Sequence, residues 1–278
     1  MRRSLLHSAL PPRTATVLSC AWAFTTAMAS RPLGAQSLDQ RLASAGNGTV
    51  QFTFTARAGV CGDGRSFIRD SAGGASRIAN EATVYGRSED ALESACLPGP
   101  VRVVATVADG AVMRLRTYVG PVPARTPDGT RDLGRASVAE AVALLGGVAE
   151  HGSGRAAGEA MLPMFLADSV SPWPTLLRVA RDGDRPRAAR QSAAFWLSRG
   201  AAAMLGVAGA DRNSDDADVR ASAVFAISQQ PREDAVPRLI DLARHSKHPD
   251  VRAQALFWLG QTGDARGIDL FAELLGVR

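Results

Sequence analysis

The sequence predicts a mainly α protein, with a C-terminal α-solenoid of antiparallel helix pairs preceded by a small β-rich (α+β) domain. Three observations carry that prediction. One phrase recurs as RQSAAFWL at 190–197, RASAVFAI at 220–227 and RAQALFWL at 252–259, at steps of 30 and 32 residues. A period of that size belongs to stacked supersecondary units, which bind along a broad curved surface more often than in a pocket. Before residue 120 the pattern instead alternates apolar and polar residues, the two-residue rhythm of half-buried strands. A connector containing Pro121, Pro123, Pro127, Asp128 and Gly129 separates the two regimes.

The chain opens with Arg2 and Arg3, carries Arg13, and then has an uncharged stretch, TATVLSCAWAFTTAMAS, over 14–30. A basic start, a short apolar centre and a small-residue exit describe an export signal. Cleavage is expected near residue 29, after Ala27-Met28-Ala29, or near 35, after Leu33-Gly34-Ala35, so residues 1–35 are set apart as a signal peptide. The alternatives are an uncleaved N-terminal membrane anchor and lipidation at Cys20, although most of the apolar stretch lies beyond that cysteine. The formal net charge is +5, but Arg2, Arg3, Arg13 and Arg31 fall within 1–35 and no acid does. The remainder carries 28 basic against 27 acidic residues, so it has no net basic field for nucleic acid. Nearly all basic residues are arginine, Lys247 being the one lysine.

Taken in order, residues 36–120 form the β-rich domain, 121–135 a linker and 136–278 the helical repeats. A short helix is expected over 37–46, a strand from Val50 to Ala56, a turn at GVCGDG (59–64) and a further strand over 66–70. A strand from Ile78 to Tyr85 and a short helix over 88–96 are expected next. The segments 101–107 and 111–119 flank Asp109-Gly110, the signature of a hairpin with a tight primed turn. Cys61 and Cys96 remain after signal cleavage, and an even count in an exported domain predicts a disulfide that supports a modest core. The capping box Ser137…Glu140 opens a helix through about Glu150. Helices are expected near 155–167, 173–182, 187–199, 201–209, 218–229, 234–245, 250–261 and 266–276, with Asp250 and Asp264 where caps belong.

The helical part resembles HEAT repeats, particularly the bacterial HEAT-like type. The residues that carry the resemblance are DVRASAVFAI (218–227), AVPRLIDLA (235–243) and DVRAQALFWLG (250–260), with WPTLL (173–177) echoing VPRLI (236–240) 63 residues later. It covers about residues 155–278, weakening at Arg155, where Gly158 and Ala160 replace the repeated Ala and Phe. The whole arrangement looks like exported HEAT-repeat proteins of bacteria. The resemblance implies that Arg190, Arg220, Arg252, Asp218 and Asp250 form a structural ladder between successive repeats. Ala at +3, Phe at +5 and Leu or Ile at +7 from the arginine are read as a core-facing side.

No catalytic motif stands out: no His-Glu-x-x-His, Gly-x-Ser-x-Gly or P-loop. His245, His248 and Asp250 lie close together but in an inter-repeat loop beside Lys247, which favours solvated histidines over a metal site. Cys61 is read as half of a cystine rather than a nucleophile. Trp196 and Trp258 follow core phenylalanines, one ring of each pair packing inside and the other lying at the edge. Arg178, Arg181, Arg238 and Arg244 mark a candidate surface for acidic partners, although Asp182 and Asp241 are interspersed. The function expected is an exported, non-enzymatic scaffold in the periplasm or outside the cell, binding a protein or peptide of the cell envelope. It needs no cofactor or metal, binds no nucleic acid and inserts in no membrane after cleavage. The alternative is an exported enzyme, accessory or signalling unit with its site around Cys61, Asp63 and Arg65.

Overall fold

A computed structural model describes residues 36–65, 67–70, 78–79, 96–208 and 215–278. The expected signal peptide with Cys20, most of the strand from Ile78, nearly all of the helix over 88–96 and part of the acidic loop at 211–217 lie outside them. The described chain begins with α1 (Leu38–Ala45), closed by a capping box between Ser37 and Gln40. The strands are β1 (Gly48–Phe54), β2 (Val60–Gly62), β3 (Phe67–Asp70), β4 (Ile78–Ala79), β5 (Leu97–Pro98), β6 (Val101–Ala108), β7 (Ala111–Val119) and β8 (Thr130–Arg135). The helices that follow are α2 (Val138–His151), α3 (Gly154–Phe165), α4 (Trp173–Arg181), α5 (Arg187–Met204), α6 (Asp215–Ser228), α7 (Arg232–His245), α8 (Pro249–Thr262) and α9 (Ala265–Leu274).

Two four-stranded sheets make up the β-rich region. The first has the order β7-β6-β1-β8 and the second β4-β3-β2-β5. The hairpin forms where Asp109-Gly110 predicts it, with φ of 51° and 75° at the two turn residues and Val101 opposite Val119. Three expectations are corrected. Residues 130–135, assigned to the linker, form β8 and pair in parallel with β1. Strand pairing between residues so far apart in sequence leaves no local signal, and Pro127 and Gly129 stop the connector just before it. Val60–Gly62, assigned to a turn, is a strand, and its glycine allows the sheets to approach: a Cβ on Gly62 would sit 2.4 Å from the Val119 carbonyl oxygen. The helices expected at 187–199 and 201–209 are one helix, α5. Gly200 does not break it; the Trp173 ring lies against it, and a Cβ there would meet that ring at 2.6 Å.

Val50, Phe52, Phe54, Val101 and Val103 are almost wholly buried on one face of the first sheet, and they join Leu145, Met161, Met164 and Leu166 in one hydrophobic cluster. The sheet thus covers the α2–α3 end of the solenoid. Burial of apolar area is worth about 25 cal/mol per Å², so this shared core, rather than any single polar bond, joins the two regions. Backbone bonds reinforce the seam: Arg57 N–H donates to the Leu166 carbonyl at 2.9 Å and Asp168 N–H to the Thr55 carbonyl at 3.3 Å. The Arg57 guanidinium stacks over Phe165 at 4.8 Å and pairs with Asp70.

The helices form two layers, but their stacking order is not their chain order. In one layer the order is α3, α5, α8, α6; in the other it is α2, α4, α9, α7. The pair α8–α9 therefore sits between α4–α5 and α6–α7. Helices α3 and α5 run parallel, with Gly154 near Pro186 and Phe165 against Trp196. Helices α6 and α8 also run parallel, with Arg220 at Asp250 and Phe225 at Trp258. The central crossing is antiparallel. Rising along α5 from Gln191 to Ser198, the facing residues on α8 fall from Gly263 to Gly260. Gly260 makes this crossing close, since a Cβ there would stand 2.5 Å from the Ser198 hydroxyl.

Candidate binding surface

The repeated phenylalanines do not point into the core. At about 100° per residue, positions +3, +4 and +7 from the repeat arginine fall within about 100° of one another, while +5 points roughly 150° away from their centre. Accordingly Ala193, Ala194 and Leu197 are buried on α5, and Ala255, Leu256 and Leu259 on α8. Phe195 and Phe257 are half-buried, and Phe225 is 46% exposed. Both tryptophans are half-buried as well, so neither pair divides into one core ring and one edge ring.

Those rings form a continuous row. Trp173 meets Phe165 at 5.9 Å between centroids, Phe165 meets Trp196 at 4.9 Å and Trp196 meets Phe195 at 5.0 Å. The row then crosses from α5 to α8 through Phe195 and Phe257 at 6.5 Å, and passes through Trp258 to Phe225 on α6 at 5.1 and 5.2 Å. It is least covered at its end on α6, where Val219 is also 69% exposed. Edge-on and tilted ring pairs of this kind hold one another in place by about 0.5–1.5 kcal/mol each, so the row is rigid before anything binds.

The four arginines read as a binding surface are engaged within the chain. Arg178 donates to Glu150 at 2.8 and 2.5 Å, joining α4 to α2. Arg181 reaches Asp269 at 2.7 Å, joining α4 to α9. Arg244 forks onto both oxygens of Glu273 at 3.0 and 2.6 Å, joining α7 to α9 and holding that carboxyl below its ordinary pKa. Arg238 reaches Gln230 at 3.2 Å. The second-helix layer is thus laced along its length by intramolecular ion pairs.

The expected ladder on the first helices has one rung. Arg220 Nε donates to Asp250 at 2.8 Å, and Asp250 lies in the first turn of α8, with His248 at the cap position. Burial raises the Asp250 carboxyl, but the Arg220 hydrogen bond and charge, with the amides of Val251 and Asp250 itself, outweigh it and leave the pKa lowered. Arg190 and Arg252 instead donate to the carbonyls of Arg185 and Ser246, at 3.3 and 2.7 Å. A ladder needs parallel neighbours: antiparallel packing of α5 on α8 puts the start of one helix at the end of the other, so Arg190 has no Asp250 to meet. Asp218 lies on α6, which is the outermost of its layer.

A cleft of about 1080 Å³ opens between the first sheet and the α3–α5 pair. Arg65, Arg102, Arg114, Arg116 and Arg155 line it, with Tyr118 and Trp196, and Glu159 is the one carboxylate among the described residues that line it. The strand pleat explains the clustering, because Arg114, Arg116 and Tyr118 alternate along β7 and share a face with Arg102, which pairs opposite Tyr118. Arg102 is 7% exposed; it donates to the Gly64 carbonyl at 3.0 Å and stacks on Tyr118 at 4.3 Å. Burial lowers its pKa, against the raising influence of Tyr118 and Asp132. Glu159 accepts the Leu115 amide at 2.8 Å, covering a free amide of this edge strand, and pairs with Arg155 at 3.1 Å and Arg114 at 3.3 Å. The sequence reading missed this cleft, apart from Arg65. Its signal was present in the RLRTY alternation of 114–118, whose outward face is basic and aromatic.

Around the alternative site, Cys61 and Cys96 stand at disulfide distance with Cα atoms 5.2 Å apart, so Cys61 holds no free thiol there. Asp63 accepts the amides of Arg65 and Phe67, both at 2.9 Å, which shapes the turn into β3. His245 Nδ1 lies 2.8 Å from Asp241, exposed on α7. Among the described residues no group of three His, Cys, Asp or Glu is arranged to hold a metal ion, and no helix is long and apolar enough to cross a membrane.

No curated protein and no solved structure matches the chain. The C-terminal helices do have a match: a protein-family model described as HEAT repeats covers residues 208–277, which span α6 to α9.

Proposed function

We propose that the chain is an exported, non-enzymatic scaffold that binds a protein or peptide of the cell envelope through the outer face of its first-helix layer. The observation that carries this reading is the aromatic row from Trp173 to Phe225, which crosses all four first helices and ends exposed. Aromatic side chains supply large, rigid contact area and dominate the energetics of protein interfaces. HEAT repeats support the same reading, since stacked repeats present extended surfaces for partners. The basic-apolar-small pattern of residues 1–35 and the paired Cys61 and Cys96 support an oxidising, exported setting. A photo-crosslinking side chain placed at Phe225, and separately at Arg238 on the other layer, tests the surface in whole cells. Discrete partner adducts are expected from position 225 and not from 238; equal adducts from both, or none from 225, would overturn the assignment.

A further inference from the structure

We propose that the arginine-lined cleft between β7 and α3–α5 takes an extended, acidic segment of the partner; this rests on the scaffold reading above. Three features point to that ligand. The cleft, at about 1080 Å³, lies just above the usual size of small-molecule sites, roughly 300–1,000 Å³, and is open rather than enclosed. Its cations are spread along a strand: Arg114 and Arg116 stand two residues apart on one face, about 7 Å along β7. An extended peptide repeats its side chains at the same spacing, so carboxylates at alternate positions come into register with the guanidinium groups. Glu159 shows within the chain how a glutamate carboxylate is held here, by the Leu115 amide and by Arg155 and Arg114 together. Arg114 nonetheless keeps 41% of its side chain exposed. An exposed guanidinium edge can take a further carboxylate by charge-assisted hydrogen bonds. Trp196 belongs to both the cleft and the aromatic row, so an acidic segment bound here continues onto the rings.

The test is fluorescence anisotropy of the whole exported chain with a labelled peptide of alternating Glu and Ser. Expected are saturable binding that weakens with salt, weaker binding of a peptide with the same residues in two blocks, and none of a Gln–Ser peptide. Arg114→Gln and Arg155→Gln should each weaken binding roughly tenfold or more. Both residues support Glu159, so Arg65→Gln, at an exposed position, is the variant that keeps the test valid should they unfold; it should weaken binding several-fold. Binding of the Gln–Ser peptide at equal strength, indifference to all three substitutions, or tighter binding of oligodeoxythymidylate would overturn the proposal. Phe225→Ser separates the two readings, because it should abolish partner adducts from a photo-crosslinking side chain moved to the exposed Val219 while leaving the acidic peptide bound. Adducts without peptide binding would remove the cleft assignment alone, and peptide binding without adducts would remove the scaffold surface alone.

Discussion

Replacing Gly260 by alanine tests the stacking order directly. The new Cβ would stand 2.5 Å from the Ser198 hydroxyl, about 0.9 Å short of the 3.4 Å at which ordinary contact begins, and 2.8 Å from the Ser198 Cβ. Ser198 is itself buried and bonded to the Phe195 carbonyl at 2.7 Å, so it does not swing aside freely. Overpacking of this kind costs about 1–3 kcal/mol. Alanine's better helix propensity returns about 1 kcal/mol, which leaves a net loss of about 0–2 kcal/mol. The single variant is therefore less informative than its combination with Ser198→Gly, which deletes both clashing atoms. In the double-mutant cycle, measured from urea unfolding midpoints, the coupling energy should be about 1–3 kcal/mol, the two substitutions together being more stable than their separate effects imply. If the repeats were stacked in chain order, α6 would lie between Ser198 and Gly260. A coupling within about 0.5 kcal/mol of zero would then be found, and it would refute the placement of α8 against α5.

Cys61→Ser with Cys96→Ser removes a crosslink across 35 residues, and the chain-entropy model predicts a loss of about 3–4 kcal/mol, read from the urea midpoint of the variant against that of the oxidised parent. Asp250→Asn should cost about 1–3 kcal/mol, because it leaves the half-buried Arg220 without its carboxylate. The folded pKa of Asp250 is lowered, so its contribution is fully present above the ordinary value of 3.8 and is lost as pH falls through the lower folded value. The acid limb of stability below about pH 4 should accordingly be shallower in the Asn variant. Arg244→Ala, at an exposed pair, should change the melting midpoint by the equivalent of about 1 kcal/mol or less, and a larger loss would show that the lacing of the second layer is cooperative. Phe225→Ser should leave stability within about 1 kcal/mol of the parent, since nearly half of the ring is already in solvent.

What could be read from the residues was local. The Ser137…Glu140 capping box and the Asp109-Gly110 hairpin depend on neighbours a few positions away, and the repeated phrase is a short local pattern written three times; each element stands where those signals put it. The phase of Phe195, Phe225 and Phe257 was legible too, but grouping +5 with +3 and +7 assigned it to the wrong side of the helix. β8 and the order of the helix pairs had no local signal. A repeat period states that units stack; it does not state which unit stacks on which, because every copy carries the same core face. The basic surfaces were misjudged for the same reason: Arg178, Arg181 and Arg244 look available until Glu150, Asp269 and Glu273 are brought beside them by packing.

The position of α8–α9 alters how this chain must reach its native state. A solenoid stacked in chain order grows as it is synthesised, each new unit landing on the last, and losing the C-terminal unit merely shortens it. Here the pair that follows α6–α7 in the chain is the keystone between it and α4–α5. Until residues 249–278 emerge, α4–α5 and α6–α7 expose the faces that will later enclose α8–α9. Assembly is thus held open until those residues emerge, and a nascent chain carries two unsealed apolar walls through that interval. Trimming at residue 264 would remove α9, half of the wedge, from the interior of the stack, a lesion far more severe than the loss of an outermost helix.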